Sequence, residues 1–372
     1  MKININSKTL KSILNKSVIV APTVSHRPEF TGILIEAFDN QINFLTRSDQ
    51  MDMIIEEKGN NFEVIEIGTM LVKAKTITEI ANKVNDDETI TLTKVGDNIL
   101  VFTTSNSEYE INLLDDSNFE KINFNHGEEI ETVNISKDTL KKIINSVVYA
   151  GNDKSPRRIL QGVEISIKDN KISAIATDTM RVALYKTETN NTKEFSKIVP
   201  IKSLREMSKL IDSEEVTLSF ELNKVFIKDK TTTIKTNIIE GNYPTVMNAF
   251  PTETINELRI AKTNIVDVIE KATLLNNNPN NPGIIKMIIN NGTIKFETRQ
   301  IEVGYASVET SYNAWKGNDI YQISFNPKFF LEAIKSIDNE EIIIKLNTSE
   351  QPFIITDEKE INKALILPFR TA

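Results

Sequence analysis

Residues 30–45, FTGILIEAFDNQINFL, align without a gap on residues 160–175, LQGVEISIKDNKISAI, at an offset of 130. Gly32 falls on Gly162, Asp39-Asn40 on Asp169-Asn170 and Ile42 on Ile172. Apolar residues alternate on both sides of the Asp-Asn pair, as in two strands joined by a tight turn. A third copy, GIIKMIINNGTIKF at 283–296, keeps the plan around an Asn-Asn-Gly turn. One hairpin used three times implies a chain made of repeated units, and that implication sets the fold.

The remainder of each unit repeats too. IDSEEVTL at 211–218 matches IDNEEIII at 337–344 at an offset of 126, and VNDDETITL at 84–92 matches both with one extra residue. Ahead of these stretches, SKTLKSILNKS (7–17), SKDTLKKIINSVV (136–148) and IKSLREMSKLI (201–211) space their apolar residues as helices do, for instance Leu140, Ile143, Ile144, Val147 and Val148. Ser136 suits the N-cap of the second. An α+β fold is expected, with three repeats, each holding two copies of a helix followed by several short strands. The boundaries give domains 1–125, 126–251 and 252–372.

A chain of 372 residues is too long for one ordinary core, and 26% charged residues suit a globular protein. It lacks an apolar run of the roughly 20 residues needed to span a bilayer. Its start, MKININSKTL, lacks the hydrophobic segment of a signal peptide. A cytoplasmic location without a membrane partner is expected. The absence of cysteine excludes disulfides, thiol nucleophiles and thiolate metal sites. His26 and His126, the only two histidines, sit in polar, turn-rich stretches. No HExxH, EF-hand loop, GxSxG, phosphate loop or GxGxxG occurs, which leaves scattered carboxylates as the one route to catalysis and no cofactor or metal to expect.

Net charge is −8, which argues against nucleic acid until the charges are sorted by element. The segments read as helices, 7–17, 69–84, 136–148, 201–211, 262–275 and 327–337, carry a net +10, leaving −18 elsewhere. Lys8 and Lys11, Lys73 and Lys75, Lys137 and Lys141, and Lys202 and Arg205 contribute, the bases lying away from the apolar stripes. Such faces can meet phosphates while an acidic exterior repels them. A general preference of surface lysine for helices would give the same count.

LQGVEISIKDNKISAIATDTMRVALYK, EGNYPTVMNAFP (240–251), ISFNPKFFLEAIKSI (323–337) and the terminal ALILPFRTA together resemble the bacterial DNA polymerase III beta subunit family, the sliding clamps. The resemblance runs the length of the chain in order and includes the threefold repeat. It implies three clamp domains, each with two helices packed on antiparallel sheets. Two copies would close head to tail into a ring around double-stranded DNA, helices inside. Such a ring is not an enzyme. It tethers the replicative polymerase by topology, raising effective concentration, with non-specific, salt-sensitive phosphate contacts.

Residue by residue, the resemblance adds Lys154, Arg157 and Arg158 in KSPRRI, and Arg27 in SHRPEF, to the DNA-facing bases, although family arginines in the latter loop usually lie slightly earlier. It places ring closure at Tyr109 and Ile111 of SEYEINLL and at Leu274 and Leu275 of KATLLNNN; both Tyr109 and Ile111 also fit a plain core. An exposed edge strand would need such a cover. It implies a peptide pocket for tails of the polymerase III catalytic subunit, the clamp loader and repair proteins, whose motif is a Gln followed by Leu and Leu or Phe. The wall would comprise Leu160, Thr177, Thr179, Met180, Arg181, Val182, Pro244, Asn326, Phe329, Pro352, Leu365, Ile366, Leu367, Pro368, Phe369 and Arg370. Thr179-Met180 stand where the family commonly has Ser-His or Gly-His, Asn248 where an arginine often stands, and the tail ends Arg-Thr-Ala instead of Arg-Leu. Asp178 is expected to accept turn amides and position Arg181, with the counterpart FLTRSDQMDMI keeping an Asp at Asp49. Two other readings are a monomeric β-rich binding or scaffold protein and a carboxylate-dependent enzyme.

Overall fold

The alternation at 30–45 forms the strands Gly32–Phe38 and Gln41–Arg47, and that at 160–175 forms Gly162–Lys168 and Lys171–Thr177. In the second hairpin Asp169 and Asn170 have φ of 50° and 56°, as a two-residue type I′ turn requires. The computed structural model describes residues 1–120, 122–124, 131–191, 194–275, 283–290, 292–300 and 303–370. The expected boundary at 125/126, His126, Asn291 and the final Thr371-Ala372 lie outside them.

Six α-helices occur among the described residues: α1 Ser7–Val20, α2 Ala74–Ala81, α3 Lys137–Val147, α4 Ile201–Leu210, α5 Lys262–Ala272 and α6 Pro327–Ser336. Ser136 Oγ accepts from the Thr139 amide at 3.1 Å, Asn6 Oδ1 from Thr9 at 3.3 Å, and Asn326 Oδ1 from Lys328 at 2.9 Å ahead of Pro327. Each helix follows a strand: Lys2–Asn6, Gly68–Lys73, Glu131–Ser136, Phe195–Pro200, Asn256–Ala261 and Ile320–Phe325. The half-repeat is therefore strand, helix, then strands, and the leading strand is an addition to the sequence reading. The expected helix over 69–84 starts only at Ala74. Met70, Leu71 and Val72 are all fully buried and pair with Ile35, Leu34 and Ile33, so residues 69–73 serve the sheet.

The chain divides into two compact units. The first, residues 1–140 and 202–238, holds a five-stranded sheet that ends at Glu108–Asn112 and an eight-stranded sheet. In the larger one, Thr232–Asn237 pairs antiparallel with Met51–Glu57. Ile3, Ile5, Leu10, Leu14, Phe44 and Phe102 are among its fully buried side chains. The second, residues 141–201 and 239–372, holds a nine-stranded sheet, in which Arg181–Glu188 pairs antiparallel with Asn362–Ile366, and a four-stranded sheet that ends at Gly304–Ser311. Its core is aromatic at the centre. The Phe325 and Phe330 rings stack at 4.5 Å and Phe353 lies 5.3 Å from Phe325. No described helix is long and apolar enough to cross a membrane.

The repeated glycine has a steric cause. A Cβ on Gly162 would lie 2.3 Å from Ile198 Cγ2 and 3.2 Å from the Val199 carbonyl oxygen. On Gly32 it would meet Leu71 Cδ1 at 2.7 Å and Leu114 Cδ1 at 3.0 Å. At both sites a neighbouring segment approaches closely. The Gly32 neighbours are side-chain ends that can swing away. We expect Gly162→Ala to cost about 2–3 kcal/mol and Gly32→Ala about 1 kcal/mol, measured as urea unfolding midpoints; the opposite ranking would refute this account.

Candidate docking groove and basic loops

Asp178 and Arg181 meet at the turn between the strands Lys171–Thr177 and Arg181–Glu188. Asp178 Oδ1 accepts from the amides of Met180 at 3.0 Å and Arg181 at 3.1 Å, and its Oδ2 accepts from Arg181 Nε at 3.0 Å. Thr177 Oγ1 accepts from the Thr179 amide at 3.1 Å and donates to the Arg181 carbonyl at 2.6 Å. The guanidinium, 7% exposed, continues inward to Glu332 and to the Tyr149 carbonyl, with the Phe329 ring 4.1 Å from its carbon. Burial pushes the Tyr149 phenol up to about 12, so that ring stays neutral beside the cation. Each of the three guanidinium nitrogens donates to a protein oxygen, and the pair is a turn lock.

Beyond the turn the two strand faces differ. Val182 sits opposite Leu365, and Ile175 opposite Leu184, in the strand register. These four buried residues form one apolar cluster, covered in part by Tyr243, Val246, Phe250 and Leu367. Tyr243 ties the covering segment down: its hydroxyl accepts from the Thr177 amide at 3.1 Å and donates to the Gly162 carbonyl at 3.3 Å. Burial raises its pKa above the ordinary phenol value, which keeps that donor protonated. The Met180 carbonyl accepts from the Leu367 amide at 3.1 Å, and the Ser324 carbonyl from Phe369 at 2.7 Å, so the terminal segment is bound along one side.

The expected wall is partly rearranged. Thr177, Val182, Leu365 and Leu367 lie at the cluster, and Leu160 is buried nearby in sequence to Gly162. Arg181 and Ile366 alternate with Val182 and Leu365 and so face the opposite side of their strands. Ile366, 1% exposed, belongs to the aromatic core, and Phe329 packs against that core beneath Arg181. These three back the groove; they do not line it. Asn326 caps α6 with its side-chain oxygen. Pro352, Pro368 and Phe369 are half-buried, and Thr179, Met180, Pro244 and Arg370 are exposed. Ile175, Leu184, Tyr243, Val246 and Phe250 lie outside the expected wall, although strict alternation from Thr177 and Val182 points to the first two.

The first repeat carries the same turn with other chemistry. Ser48, not Asp49, occupies the place of Asp178: Ser48 Oγ accepts from the Gln50 and Met51 amides at 3.4 and 3.1 Å. Asp49 and Gln50 instead line an open cavity of about 550 Å³ with Ile19, Val24, His26, Arg27 and Glu206. Arg27 lies over the Phe30 ring at 5.2 Å.

Among the basic residues, Lys8, Lys73, Lys75, Lys154, Arg157, Arg158, Lys202 and Arg205 are exposed, while Lys11, Lys137 and Lys141 are half-buried. Lys11 pairs with Asp86 at 2.7 Å, which holds that carboxyl below its usual range, and Lys16 pairs with Asp212 at 2.6 Å. Lys137 Nζ donates to the Asp212 carbonyl at 3.0 Å. The positive face of α1 is thus weaker than its lysine count. At the expected closing edges, Tyr109 is 42% exposed and meets Phe102 edge-on at 6.2 Å, whereas Ile111 is 7% exposed, opposite Leu100, and belongs to its own core. Leu274 is 72% exposed. A Cβ on Gly304, in the edge strand Gly304–Ser311, would lie 3.9 Å from Leu275.

Repeated units of helix and antiparallel sheet, with sheet edges open at Glu108–Asn112 and Gly304–Ser311 among the described residues, make up a clamp-type architecture. Models of the DNA polymerase III beta subunit match the chain in order: its N-terminal domain at residues 1–123, central domain at 134–245 and C-terminal domain at 247–370. The beta sliding clamp of Mycoplasma capricolum is 27% identical over 375 residues, covering 99% of both chains. That of Halalkalibacterium halodurans is 29% identical, covering 95% of this chain and 96% of its own. The crystal structure of the DNA polymerase sliding clamp from Bacillus subtilis superposes with a TM-score of 0.92 over all of both chains at 24% identity. The chain belongs to the DNA polymerase III beta subunit family, and its fold is that of a non-catalytic sliding clamp.

Thr179 is β-branched yet has φ of 80°, a conformation that costs such residues energy. Thr179→Gly should therefore raise stability by about 1 kcal/mol after the added unfolded-state entropy is subtracted. A lower urea midpoint would show that the Thr179 side chain contributes more than its strain costs.

Proposed function

We propose that two copies of this chain close head to tail around duplex DNA and hold the replicative polymerase there. The cluster of Val182, Leu184, Ile175 and Leu365 then receives the short peptide tails of the polymerase catalytic subunit, the clamp loader and repair proteins. The observation that carries the closure is the pair of open sheet edges, Glu108–Asn112 and Gly304–Ser311, each ending its sheet among the described residues beside exposed apolar side chains: Tyr109 at one, Leu274, Val303 and Tyr305 at the other. Unpaired edges of this kind invite strand addition, and a head-to-tail contact between two such edges closes a ring of two.

The DNA contacts fit sliding. Lys154, Arg157 and Arg158 are presented on a loop whose own polar groups are already satisfied, Asn152 Oδ1 accepting from the Lys154 amide at 3.0 Å and Ser155 Oγ from the Arg157 amide at 3.2 Å. Their charged ends can follow phosphates without reading bases. With Lys8, Lys73, Lys75, Lys141, Lys202, Arg205 and Arg27, they supply non-specific attraction that weakens with salt. The cytoplasm is the compartment this role requires.

Light scattering should give about twice the chain mass. After loading, the protein should stay on circular DNA through a high-salt wash and leave when the circle is cut. Equal retention on cut and closed DNA would defeat the proposal. Val182→Asp should weaken binding of a fluorescein-labelled Gln-Leu-Ser-Leu-Phe peptide by about tenfold or more without changing the mass; unchanged affinity would remove the groove from the docking role.

A further inference from the structure

The chain has eight methionines and no cysteine, so thioethers are its softest nucleophiles. Met51, Met53, Met70, Met207 and Met287 are buried, and Met1 is half-buried. Two are open to solvent, Met180 at 41% and Met247 at 40% exposed. Both adjoin, through the chain and backbone bonds, residues of the apolar cluster at Val182 and Leu365. Met180 lies two residues before Val182, its carbonyl holding the Leu367 amide, and Met247 follows Val246 in the helical turn Val246–Ala249, its carbonyl accepting from Phe250 at 3.3 Å. Thioethers are flexible and polarisable, which suits a rim that must fit several apolar side chains.

We propose that Met180 and Met247 form an oxidisable rim at which a hydroperoxide reduces the groove's affinity for docked peptides; this rests on the docking reading. The sulfur lone pair attacks the terminal peroxide oxygen, an S–O bond forms as the O–O bond breaks, and the released oxygen leaves as water or alcohol with the peroxide proton. Sulfur is oxidised by two electrons and the peroxide reduced by two. The flexible apolar arm becomes a polar sulfoxide. In the free groove that oxygen is hydrated. A docked apolar side chain would strip its water and offer no donor in return, which opposes docking. With five of the other six side chains buried and Met1 half-buried, peroxide should reach these two sulfurs first.

Full-length protein treated with limiting hydrogen peroxide should show, by mass spectrometry of its proteolytic peptides, sulfoxide at Met180 and Met247 at least about tenfold faster than at the five buried methionines. The affinity for the labelled Gln-Leu-Ser-Leu-Phe peptide should fall by about tenfold and return on treatment with methionine sulfoxide reductases and dithiothreitol. In the Met180→Leu, Met247→Leu double variant, peroxide should leave that variant's own affinity where it was. Uniform oxidation of all methionines, unchanged affinity once both sulfoxides have formed, or an equal loss in the double variant would each overturn the proposal. Absence of peptide binding before any treatment would remove the docking reading and the proposal with it; binding that persists after sulfoxide formation would remove the proposal alone.

Discussion

The antiparallel pairing of Arg181–Glu188 with Asn362–Ile366 is the constraint on which the apolar cluster at Val182 and the lock at Arg181 depend. It sets Val182 against Leu365 on one face of the sheet and Arg181 against Ile366 on the other. A slip of one residue would exchange the faces, putting a guanidinium in the apolar groove and an isoleucine where Glu332 and Asp178 wait for a cation. Arg181 works against that slip. Its three hydrogen-bonding directions are met by Asp178, Glu332 and Tyr149 only in the present register, and leaving a buried charge without such partners is strongly destabilising.

Much of this was legible in the sequence because strands announce themselves by alternation. The three hairpins, the helical stretches and the cap at Ser136 all come from local patterns. The leading strands do not, since Lys2–Asn6 is five residues long and runs straight into α1, so its alternating Ile3 and Ile5 merge with the helical pattern. At 69–73 the chain is apolar on both faces, a pattern that suits a buried strand and a helix equally. The error at Asp49 is of another kind. Residue identity favours Asp49 as the counterpart of Asp178, yet the gapless offset of 130 points to Ser48, and a serine hydroxyl accepts the same two turn amides as the Asp178 carboxylate.

Charge was legible by element and hidden by pairing. Counting lysines on helices shows which segments are basic, but the acid that answers Lys11 lies 75 residues away, and Lys16 is answered by Asp212 from the central repeat. Nothing in a local window signals such partners. The exposed bases of the loop at 154–158 escape this because its turns are satisfied by Asn152 and Ser155, neutral residues that leave the cations available.

The repeat also shows why the apolar cluster at Val182 has no counterpart in the matching place of the first unit. The offset of 130 that aligns the hairpins places Asp52 on Val182 and Lys235 on Leu365, and in the structure Asp52 faces Lys235 across the strands as Val182 faces Leu365. An apolar cross-strand pair in one copy is thus an ion pair of 3.1 Å in the other, both side chains little exposed, with Arg47 adding a second bond to Asp52 at 2.8 Å. Lys235 also lies 5.4 Å over the Phe124 ring, which packs with Phe119 and Ile122 onto Leu34, Leu45 and Leu71. An incoming leucine would have to desolvate those charges with no compensating bond, a cost that exceeds the gain from covering one apolar side chain. Two substitutions at one register position therefore turn an apolar cross-strand pair into an ion pair. The fold is kept because the backbone pairing is the same in both copies, and only the side chains set on it differ.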